Sequence, residues 1–72
     1  MTLREWRVQA GWTQRRLALQ LERLGAGRTS PQNVWSWEHG VQPSARAYDA
    51  IRRLTRGKVP ADSFVPPEKA AG

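Results

Sequence analysis

The sequence contains no cysteine, a single histidine, His39, and no apolar run approaching the roughly 20 residues that a membrane span requires. The first absence excludes disulfide staples, thiolate chemistry and cysteine-based zinc sites. The second leaves too few imidazoles for a histidine metal site, so neither a metal nor a cofactor is expected. The third, with a start at Met1-Thr2-Leu3-Arg4 that shows no charge-then-apolar signal pattern, leads to the expectation of a soluble cytoplasmic protein without a membrane partner. Acidic groups are scarce as well, six against twelve Lys and Arg, for a formal charge of +6. No carboxylate pair, nucleophile–base arrangement or phosphate-binding loop is spelled out. A lone histidine does not carry catalysis, so no catalytic residue is assigned and an enzyme is not expected.

What is present is arginine. Ten of the twelve basic residues are arginines, and eleven of the twelve lie within residues 1–58, so the charge belongs to the body of the chain and not to a tail. The planar guanidinium suits phosphates and guanine edges, which makes nucleic acid the favoured partner. A basic surface that only keeps the chain soluble is the plain alternative. Seventy-two residues suffice for one domain with a small core, which compact helix packing and self-association must then support.

Caps and periodicity predict four helices. Thr2-x-x-Glu5 is a capping box, followed by the apolar stripe Leu3, Trp6 and Ala10 and a stop at Gly11. Thr13 caps a second helix from Gln14 to about Leu24, with Leu17, Ala18, Leu21 and Leu24 inward and Arg15, Arg16 and Arg23 outward. Gly25-Ala26-Gly27 ends it. Ser30-Pro31 opens a third helix to about His39, closed by Gly40. Pro43-Ser44 opens a fourth through about Arg56, with Ala47, Ile51 and Leu54 inward, Tyr48 alongside and Asp49 placed to pair with Arg52 and Arg53. Gly57 terminates it. Val59–Val65 is expected to pack back on the body or across a dimer, and residues 66–72 to form a flexible end.

The third helix has an unusual outer face. At about 100° per residue, Trp37, Glu38 and Pro31 lie on the Val34 side, while Gln32, Ser36 and His39 lie opposite, flanked by Asn33 and Trp35. That face is polar but uncharged in a chain crowded with arginine. Neutral amides and hydroxyls suit base edges, whereas charges suit phosphates; an ordinary solvated face would carry Lys and Glu. Arg7 on the first helix and Glu38 on the third are lone charges on inward stripes, of opposite sign. They predict either one internal ion pair or two snorkelling side chains. Trp6, Trp12 and Trp37 fall on core stripes, and Trp35 faces outward. Aromatics so placed argue against single-strand binding, which interleaves them with arginine along a groove.

Leu3-Arg4-Glu5-Trp6-Arg7, Ala10-Gly11-Trp12-Thr13-Gln14-x-x-Leu17-Ala18-x-x-Leu21, Ser30, Val34-x-x-Trp37-Glu38-x-Gly40 and Pro43-Ser44, in that order, resemble the Xre family of Cro and lambda-repressor type helix-turn-helix proteins. The resemblance covers about residues 3–58, and Leu54–Phe64 is similar to the ending of small phage Cro-like and YdaS-like regulators. It implies an all-α, compact four-to-five-helix lambda-repressor-like domain over residues 1–65, with a recognition helix at about 31–39. It also implies base reading by Gln32, Asn33 and Ser36, with the atypical Pro31 and Trp35 at neighbouring contact positions, where Trp35 has a thymine methyl or a sugar to pack on. Phosphate contacts would come from Gln14, Ser30, His39 and the basic side chains Arg15, Arg16, Arg28 and Arg46. The same resemblance implies the Arg7–Glu38 bridge. One departure is plain: the connection from Leu21 to Val34 is roughly six residues longer than the usual turn. Glu22–Thr29 therefore either extends the second helix or forms a glycine-hinged loop.

A single recognition helix covers too few base pairs for useful specificity, so a homodimer on an inverted-repeat operator is expected. The fourth helix and Val59–Val65 are the expected dimer surface. The functional expectation is a sequence-specific double-stranded DNA-binding regulator, a dimeric autorepressor of a phage or mobile-element operon. An antitoxin with a toxin partner, or a protein-interaction module on the same fold, is the alternative.

Overall fold

The computed structural model describes residues 1–64, which form four α-helices and no strand. They are α1 (Leu3–Ala10), α2 (Gln14–Leu21), α3 (Pro31–Glu38) and α4 (Ala45–Thr55), with a short 3-10 turn at Ala61–Phe64. The all-α expectation therefore holds. Val65 and the end expected to be flexible, 66–72, lie outside the described residues.

Each helix starts where its capping residue is spelled. Thr2, Thr13, Ser30 and Ser44 all sit in extended backbone, and each side chain accepts the N–H three residues on. In α1 the box is complete, with Thr2 N–H donating to Glu5 Oε1 at 2.8 Å. The chain ends α1, α3 and α4 by one geometry, in which an N–H two or three residues past the helix reaches back to a carbonyl in the last turn. Those bonds are Trp12 to Arg7, Val41 to Ser36 and Gly57 to Arg52. The motif requires a left-handed residue. Gly11 and Gly40 supply it in the first two cases, but in α4 the position falls on Arg56 (φ 55), one residue ahead of the expected Gly57.

Between α2 and α3 both alternatives for the lengthened connection occur in series. The α2 helix runs on through a wider π-type turn, Glu22–Ala26, and leaves helical geometry at Gly25 (φ 96, ψ 12). The loop that follows is tied down at both ends. Glu22 Oε1 accepts the Thr29 N–H at 3.0 Å, and Arg46 Nε of α4 donates to the Gly25 carbonyl at 2.8 Å.

The core is built from Leu3 of α1, Leu17, Ala18 and Leu21 of α2, Val34 of α3, Ala50 and Ile51 of α4, and Val59 and Phe64 beyond it. Trp6, Trp12, Leu24, Trp37, Tyr48 and Leu54 close around this centre half-buried. Helix α2 lies at the middle, against α3 and α4, while α1 packs on α3. Ala10, expected on the inward stripe, is exposed. The chain reverses at Gly11 and brings Trp12 edge-on against Trp6 at 5.3 Å, so the second tryptophan, not the end of α1, continues the apolar face. The segment after α4 does fold back on the body: Val59 and Phe64 are buried in the chain's own core. No helix among the described residues is long and apolar enough to cross a membrane.

Candidate nucleic-acid interface

The Arg7–Glu38 pair predicted from two inward charges forms, and it fixes α3 in place. Arg7 Nε donates to Glu38 Oε2 at 2.6 Å and Nη2 to Oε1 at 3.2 Å, a forked contact with both carboxylate oxygens. Arg7 Nη1 also donates to the Trp12 carbonyl at 3.0 Å, and Gln14 Nε2 donates to Glu38 Oε1 at 3.1 Å. The Glu38 side chain is only 1% exposed, yet three donors meet it, so burial leaves neither carboxylate oxygen without a partner. Two segments converge on one carboxylate, α1 through Arg7 and the start of α2 through Gln14, while the α1–α2 turn holds Arg7 through the Trp12 carbonyl. The rotation of α3 about its axis follows from that anchor, because Glu38 and Val34 can face inward only in one orientation.

That orientation exposes Gln32, Asn33, Trp35 and His39 and leaves Ser36 half-buried; Pro31, expected on the Val34 side, is exposed too, because it stands at the first position of the helix, beyond the core that covers Val34. The neutral polar face expected for α3 is thus its accessible face. Gln14, Pro31, Gln32 and Trp35 border one open cleft of about 240 Å³ between the starts of α2 and α3. Two of the expected contact residues are partly engaged already. Asn33 Oδ1 accepts from the Ser30 N–H and hydroxyl, both at 2.9 Å, which closes the α3 cap. The Asn33 amide nitrogen is the group this arrangement leaves for an outside acceptor.

Beside the cleft, Arg15 and Arg16 are both exposed in the first turn of α2, which carries no acidic residue. Cations at a helix N-terminus oppose the macrodipole, so this placement costs local stability. It concentrates positive potential next to free N–H groups, an arrangement suited to phosphate. Arg16 also lies over the Trp12 ring at 4.8 Å, which steadies it. Arg28 is exposed on the tied loop leading into Ser30. Arg46 stands apart from this group, since its Nε is committed to the Gly25 carbonyl.

Sequence reasoning did not find the Trp35–His39 stack. The rings lie 3.8 Å apart at 16°, and His39 Nδ1 is 2.7 Å from the Trp35 carbonyl oxygen. Their i,i+4 spacing was the available signal. The Glu22–Thr29 and Arg46–Gly25 ties carried no such signal, because loop contacts have no period.

No family model, curated protein or solved structure matches the chain, which leaves its own residues and their geometry as the ground for a functional reading.

Proposed function

We propose that the chain is a sequence-specific double-stranded DNA-binding regulator of helix-turn-helix type, with α3 as the recognition helix and the start of α2 and the loop leading into α3 against the phosphates. The observation that carries this reading is the exposed, uncharged polar face of α3 (Gln32, Asn33, Trp35) beside Arg15 and Arg16, in a chain of net charge +6. An α-helix fits the major groove, its neutral amides match base edges, and the flanking guanidiniums match the backbone. The motif order that resembles Xre regulators points the same way, toward a dimer that represses by occupying a promoter.

A second reading, an antitoxin or interaction module with a protein partner, draws on the exposed apolar side chains Val8, Leu19 and Val41. The two readings separate in a titration of isotope-labelled protein with a mixed-sequence duplex at low salt. DNA binding moves the amide resonances of Thr13–Arg16 and of residues 32–39 and leaves those of Asp49–Arg53 in place. A duplex that moves nothing, or moves the α4 face instead, removes α3 as the nucleic-acid surface.

A further inference from the structure

Trp35 is the one exposed aromatic side chain among the described residues, with 47% of its surface in water. An indole left in that state by a small core normally turns inward or lies loosely along its helix. This one is held. The His39 imidazole one turn on stacks against it, and a carbonyl can only accept, so His39 Nδ1–H donates to the Trp35 carbonyl and locks the imidazole over the ring. Pro31, one turn back, presents a rigid apolar ring on the same side of α3. Between Pro31 and Trp35 the chain thus builds two fixed apolar walls, and the other two lining side chains of the cleft, Gln14 and Gln32, are neutral amides. No charged group borders the cleft, although Arg15 and Arg16 follow Gln14 directly.

An apolar wedge beside an amide has a specific counterpart in the major groove. Thymine is the base that carries a methyl group there, and its partner adenine offers the donor–acceptor pair that a glutamine amide matches in two hydrogen bonds. We propose that the Pro31–Trp35 cleft is a subsite for the 5-methyl group of one thymine in each half-site, with Gln32 set beside it for an adenine edge. This rests on the DNA-binding reading and extends it to the chemistry of one base. Trp35 is then a specificity-determining residue, and His39 a positioning residue that acts through the stack.

Replacing thymine by uracil removes the methyl and leaves every hydrogen-bonding group, so it isolates the contact. Duplexes selected by the protein from a random library are remade with each thymine replaced singly by deoxyuridine, and affinities are measured for wild type, Trp35→Ala and Trp35→Phe. One thymine per half-site should show about a fourfold loss with wild type, the size expected for one buried methyl. Trp35→Ala should bind thymine and uracil duplexes alike, while Trp35→Phe, which keeps an aromatic face, should retain the loss. A wild type indifferent to uracil at every position overturns the subsite, as does a loss that survives in Trp35→Ala. Selection that enriches no duplex overturns the DNA-binding reading itself, and the subsite with it, so the two failures are distinct.

Discussion

Glu38 shows how a single residue can orient a helix. Its carboxylate is out of water and accepts from Arg7 twice and from Gln14 once, so removing Arg7 leaves a buried charge with one weak partner. Arg7→Ala should destabilise the fold by about 3 kcal/mol, the lower end of the range for breaking a buried pair, because Arg7 itself is 16% exposed. Glu38→Gln keeps the shape and much of the bonding and should cost less, as urea unfolding would show; equal costs would contradict the geometry. Glu5 gives a pH-linked counterpart. The Thr2 backbone N–H, with the Thr2 side chain adding to it, holds the Glu5 carboxyl below its usual 4.5. A depressed folded pKa means that this stabilisation is complete above the ordinary value and fades as pH falls through the lowered one. Glu5→Gln should therefore flatten part of the acid limb of a melting-temperature profile. At this scale the ion pair was legible in the sequence, because two inward charges of opposite sign have few other resolutions. The engagement of Asn33 by Ser30 was not, because either residue also reads as a free polar side chain on an exposed face.

At the scale of elements, helix starts were legible and helix ends less so. Thr2, Thr13, Ser30 and Ser44 announce their helices because a short side-chain oxygen does a job that few residue types do. Arg56 announces nothing: no feature of an arginine marks a left-handed turn, and the glycine beside it suggested the wrong position. Arg56→Gly should relieve that strain and raise stability by up to about 1 kcal/mol in thermal or urea unfolding. Gly25 is the opposite case. No atom lies within 4 Å of a Cβ built there, so the φ of 96° alone opposes substitution, and Gly25→Ala should cost about 1–2 kcal/mol. The glycines signalled a hinge between α2 and α3. They could not signal that Arg46, 21 residues away, clamps that hinge, because a contact between a loop and a distant helix leaves no periodic trace.

At the scale of the whole molecule, a small apolar centre is ringed by half-buried tryptophans and covered by an arginine-rich surface. Charge asymmetry and helix patterning made the all-α class and the neutral face of α3 legible. The segment after the last helix was less legible: Val59 and Phe64 are apolar there, and sequence does not tell whether such residues close their own core or a partner's. They close their own. If Arg15 and Arg28 face phosphates, Arg15→Ala and Arg28→Ala should each lower DNA affinity alike on all sequences and reduce the slope of log K against log salt by about 1. Gln32→Ala should instead relax discrimination at one or two base positions, at about 1–3 kcal/mol, with the slope unchanged.

The most direct test of the central claim is selection of bound duplexes from a random double-stranded library at physiological salt. A sequence-specific regulator acting as a dimer through α3 enriches an inverted repeat with half-sites about one helical turn apart, and Gln32→Ala broadens that repeat at defined positions. A folded wild-type protein that enriches no sequence would contradict the claim and leave the basic surface without a specific duplex partner.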